Sequence, residues 1–179
     1  MIGALARATA AALLMAPALA ACSAPSGDPL LKDPARWPLA RLKGVTGVPR
    51  LPDEAERALA QIKVGPYDLT AWIHPSGLCG LSGPGWSMHE DLTRTEGDPA
   101  RPDGFSGPTE RASGVSSESK VTLFCTPTRM LIRVEGETRK PSVSGDAVAQ
   151  VVGGGLNAVV GTEEARRESL PGATVTRGG

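Results

Sequence analysis

The chain has 179 residues, 19 basic and 19 acidic side chains, 40% hydrophobic residues and 3% aromatics. That length suits one domain. The even charge excludes the basic footprint of a nucleic-acid binder and the polybasic patch of a peripheral membrane protein. With 22 glycines and 16 prolines, a small core wrapped in much loop is expected.

Met1 to Arg7 carries one positive charge, and Ala8 to Ala18 is an apolar run broken at Pro17. The run has the length of a signal-peptide core and is too short to span a bilayer. Small residues follow and lead directly into a cysteine: Leu19-Ala20-Ala21-Cys22. This tetrapeptide resembles the lipobox of bacterial lipoproteins, and the resemblance covers residues 1–25 only. It implies that residues 1–21 are removed, that Cys22 carries diacylglycerol, and that Cys22 becomes the first residue of the mature chain. Its further implication is a protein lipid-anchored to a bacterial membrane, facing the periplasm or the exterior. Removing residues 1–21 takes away Arg7 alone and leaves 18 basic against 19 acidic side chains. Covalent lipid, rather than surface charge, is therefore the expected attachment. The competing reading is an ordinary secretory signal cut after Ala20 or Ala21.

Residues 22–38 hold repeated prolines without periodicity and read as a tether. A single domain is expected over 39–172, with a frayed tail at 173–179. Asp53 to Ile62 reads as a helix: Asp53 and Glu56 match a capping box, and Ala55, Ala58, Leu59 and Ile62 share one helical face. Tyr67 to His74 alternates as a half-buried strand, Pro75-Ser76-Gly77 turns, and Leu78 to Ser82 returns, giving a hairpin. Residues 83–117 show no period and read as a long loop. A second hairpin spans Lys120 to Thr126 and Arg129 to Glu137. Ala147 to Val152 fits a short helix or a strand, and Thr162 to Leu170 fits a helix capped by Thr162. The fold class expected is α+β, one small antiparallel sheet of two hairpins with a few short helices; all-β is the alternative.

With Cys22 assigned to lipid, Cys79 and Cys125 remain, and an even count in an exported chain points to a disulfide joining the two hairpins. The rival is a metal site from His74, Cys79, His89 and Cys125, whose spacing lacks the tight pairs of zinc sites. No cofactor motif is present. Gly80-Leu81-Ser82-Gly83-Pro84 breaks the nucleophile-elbow pattern at Pro84, and His89-Glu90-Asp91 reads as a solvated polar stretch. Trp72, on the polar face of its strand, and Trp86 are the candidate binding surface; the alternative is that Trp72 is buried under the loop. No catalytic residue is assigned. The expected function is binding of an envelope protein, a wall polymer or a small solute. The alternatives are a small envelope hydrolase built on His74, His89 and loop acids, and a structural spacer.

Overall fold

The computed structural model describes residues 33–48, 51–91, 113–118, 121–136 and 141–173. The lipobox with Cys22, most of the tether, residues 92–112 of the long loop and the tail from 174 lie outside the described residues.

Among the described residues, ten strands form two five-stranded antiparallel sheets, accompanied by one short α-helix. The first sheet takes its strands from β1 (Arg57–Val64), β2 (Tyr67–His74), β3 (Leu78–Gly83), β4 (Trp86–Asp91) and β8 (Ser142–Gly145), in the order β4-β3-β2-β1-β8. The second takes β5 (Ser113–Glu118), β6 (Val121–Cys125), β7 (Arg129–Glu135), β9 (Ala147–Val152) and β10 (Gly155–Gly161), in the order β5-β6-β7-β10-β9. Helix α1 (Glu163–Ser169) follows β10. β8 leads into β9 through Asp146, so the chain changes sheets there, and β4 lies beside β5 at the opposite edge.

The two expected hairpins are present as β2–β3 and β6–β7. Alternation places Leu69, Ala71, Ile73, Cys79 and Leu81 of the first sheet against Leu123, Met130, Ile132 and Val134 of the second, in one core. Helix α1 begins as expected, with the Thr162 side chain accepting from the Ala165 amide. It closes a smaller cluster on the outer face of the second sheet, where Phe124, Leu131, Val148 and Val159 pack with Leu170. Arg129, 3% exposed, fixes it there by donating to Ser169 Oγ at 2.8 Å, to the Ala165 carbonyl at 3.3 Å and to Glu168 Oε2 at 3.0 Å.

Several elements differ from expectation. Asp53 and Glu54 form a turn, and Arg57–Val64 is a strand rather than part of a helix. Helical spacing and strand alternation compete in this segment: Ala60, Ile62 and Val64 face the core while Gln61 and Lys63 face away. The decision is tertiary, because β1 is hydrogen-bonded on both edges, to β2 and to β8. A bulge between Ala58 and Ala60 lets Leu59 join the core as well.

The expected long loop contains β4 and β5. Ala147 to Val152 is a strand, and β10 was not foreseen, its small residues hiding a wholly buried segment. Gly153 and Gly154, both at positive φ, turn β9 into β10 as a two-residue hairpin loop demands. The fold is thus mostly antiparallel β, nearer the all-β alternative than a single sheet with several helices. Packed structure also begins earlier than the expected boundary at residue 38: Trp37 is fully buried in the core beside Leu39.

Candidate functional site

Cys79 on β3 and Cys125 on β6 form a disulfide, with Cα atoms 6.6 Å apart and 46 residues between them in sequence. It joins the two sheets rather than two hairpins of one sheet, and both cysteines are fully buried. The pairing removes both thiols from the rival His74, Cys79, His89, Cys125 ligand set. Among the described residues no group of three or more His, Cys, Asp or Glu side chains is placed to hold a metal ion.

The two candidate tryptophans do not form a common surface. Trp72 is on the outer face of the first sheet, as the alternation indicates, yet it is 0% exposed. Its ring lies across Gly80 on the neighbouring strand, where a Cβ would collide with the indole. His89, opposite Gly80 on β4, stands beside it with ring centroids 6.2 Å apart and planes tilted by 47°. The Trp72 indole N–H is buried without a hydrogen-bond partner among the described residues. Trp86 shares its pleat direction with Met88, packs against the core over Gly83, and is only half buried. Only Trp86 contributes accessible surface.

The two histidines are held apart by the sheet register. His74 lies opposite Leu78, and His89 lies opposite Gly80, one strand further on. Two strand spacings and two residue steps put their backbones about 12 Å apart. The His74 Nδ1 is 2.7 Å from the Ser76 hydroxyl, whereas His89 stands against Trp72. They share no hydrogen-bonded constellation of the kind acid–base catalysis uses. Directly after His89, burial pushes the Glu90 carboxyl above its ordinary range, and the neighbouring His89 partly opposes this.

A cavity opens on the outer face of the first sheet. It is a cleft of about 640 Å³ between residues 51–54 and the β3–β4 turn. Asp68, Thr70, Ser82 and Ser87 form its floor, from strands β2, β3 and β4. Leu51, Pro52, Asp53 and Glu54 wall one side, and Pro84, Gly85 and Trp86 close one end. Three carboxylates thus face a space that no Lys or Arg lines among the described residues. Lys63 pairs with Asp68 at 3.6 Å, both side chains being about half exposed. Thr70 is 7% exposed, and its hydroxyl has no hydrogen-bond partner among the described residues. The Ser82 hydroxyl donates to the Thr70 carbonyl at 3.5 Å.

The sequence marks Asp68 and Thr70 as members of a polar strand face. It gives no sign that residues 51–54, with the pattern of a helix start, instead fold over that face and convert it into a cleft. Among the described residues no helix is long and apolar enough to cross a membrane. Comparison of the chain with family models, with curated proteins and with solved structures finds no match to any of them.

Proposed function

We propose that this chain is a bacterial envelope lipoprotein, held by lipid on Cys22 outside the cytoplasmic membrane, whose domain binds a ligand in the cleft over Thr70. The cleft is the observation that carries the binding reading. Its volume falls in the usual range for small-ligand sites, and polar groups converge on it from three strands and a turn. Leu51, Pro52, Pro84 and Trp86 supply the apolar surface such sites combine with a few placed polar groups. The membrane part of the reading is supported by Leu19-Ala20-Ala21-Cys22 following a short apolar run.

Binding suits the site better than hydrolysis. Among the described residues no histidine lines the cleft, and its polar side chains are carboxylates and hydroxyls without a paired base and nucleophile.

Two measurements test the proposal. Intact mass of membrane-extracted protein is expected to give a chain beginning at a diacylglyceryl-modified Cys22, and Cys22→Ala is expected to release the protein from the membrane fraction. An unmodified mature chain would remove the anchor. Calorimetric titration with fragments of envelope polymers is expected to give heats that Thr70→Trp, which fills the cleft floor, abolishes; heats unchanged in that variant would place binding elsewhere.

A further inference from the structure

Resting on the cleft as the binding site, we infer that its ligand is a saccharide carrying a free, protonated amine. Three observations combine. Asp53, Glu54 and Asp68 line the cleft, and only Asp68 has a cationic partner among the described residues, Lys63. Asp53 and Glu54 therefore leave an excess of negative charge facing the open space. This charge is local: the whole chain has 19 basic and 19 acidic side chains.

Thr70 is the second, independent feature. It is more than nine-tenths buried, it sits on the floor of the cleft, and its hydroxyl makes no hydrogen bond among the described residues. With the rest of its side chain buried, the one open approach to this hydroxyl is from the cleft, where a ligand can supply the donor or acceptor that the described residues do not. Ser82 and Ser87 stand on the same face across β3 and β4. The floor is thus a row of hydroxyls matched to a polyhydroxylated ring, while the wall is anionic.

The third feature is what the cleft lacks. A carboxylate- or phosphate-bearing ligand would meet three carboxylates and no lining cation. A neutral sugar would satisfy the hydroxyl floor and leave Asp53 and Glu54 unused. A simple cation would engage the wall and leave Thr70 unpaired, and a basic peptide could reach Thr70 through its backbone but has no ring of hydroxyls to match the row formed with Ser82 and Ser87. A de-N-acetylated amino sugar meets both at once.

The test is calorimetric titration of the full lipidated chain in detergent micelles with three probes: the disaccharide of glucosamine, its N-acetylated counterpart and lysyl-lysine. The glucosamine disaccharide is expected to bind tightest, ahead of the N-acetylated form by about five-fold or more, two exposed charge pairs being worth that much. That preference is expected to shrink between about 0.05 and 0.2 M salt as the charges are screened. Asp53→Asn with Glu54→Gln is expected to abolish the preference, and the near-isosteric Thr70→Val to weaken both sugars while sparing lysyl-lysine.

Equal binding of the two sugars would overturn the amine and leave the cleft standing. Tightest binding of lysyl-lysine would overturn the saccharide. Amino-sugar binding unchanged by both variants, or no binding of any probe, would overturn the inference; the Thr70→Trp result with envelope polymers then decides separately whether the cleft itself survives.

Discussion

Gly80 shows how much one missing Cβ can decide. Its absence lets the Trp72 ring lie flat across β3 on the outer face of the sheet, burying a large aromatic where the pleat points away from the core. Gly80→Ala is expected to destabilise the fold by about 1–3 kcal/mol through overpacking, read as a lowered denaturant midpoint with unchanged slope. Alternation correctly assigned Trp72 to the polar face; its burial was not legible, because nothing local marks Gly80 as the seat of a ring. Glu90 provides a pH-dependent counterpart. Burial raises its carboxyl above the ordinary 4.5, so over the interval between the two values the native state binds more protons than the unfolded chain. Its contribution to stability is therefore lost as pH rises through that interval. Glu90→Gln is expected to gain stability over the parent at about pH 7, with the gain vanishing near pH 4. Thermal melts of both proteins across this range would expose a flat difference, which is the contrary result.

Helix α1 is too short to persist alone, and its place depends on side chains from elsewhere. Thr162 caps its first turn, and Arg129, reaching from the start of β7, ties down its last. Arg129→Ala removes the buried cation from Ser169, Glu168 and the Ala165 carbonyl, and is expected to cost about 3–5 kcal/mol. Hydrogen exchange is the discriminating readout: amides of residues 163–169 are expected to lose protection before those of β10. Thr162→Ala is expected to cost about 1 kcal/mol.

This helix was legible because cap, apolar spacing and the Pro171-Gly172 stop agree. The segment from Asp53 was misleading because its signals conflict. A capping-box pair and helical spacing are real features of the sequence, but partners on both edges of β1 outweigh them. β5 and β10 were missed for a related reason: glycine and small residues hide strands whose neighbours, not their own propensities, hold them extended.

At the scale of the molecule, the Cys79–Cys125 disulfide is the one covalent link between the sheets other than the chain itself. Closing a loop of this length stabilises by about 4 kcal/mol in the chain-entropy model. The Cys79→Ala, Cys125→Ala pair is expected to lose stability of that order, measured as a shift in urea midpoint. In the parent, both sulfurs are expected to resist reductant until the fold opens, since both residues are fully buried. The pairing was readable from the even cysteine count left once Cys22 is set aside by its resemblance to a lipobox. That it spans two sheets was not, because the sequence suggested only two hairpins and concealed β1, β4 and β8 of one layer and β5 and β10 of the other. The cleft was illegible for the same reason, since it exists only once residues 51–54 cross strands distant from them in the chain.

The same bond makes a closed ring of the backbone from residue 79 to residue 125, and this ring includes residues 92–112 outside the described strands. A protease that cuts anywhere inside the ring cannot divide the molecule. The piece bearing Cys22 and the piece bearing β6 to α1 stay joined through sulfur. Nicked protein would run as one species on a non-reducing gel and as two after reduction, with the second sheet still joined to the first.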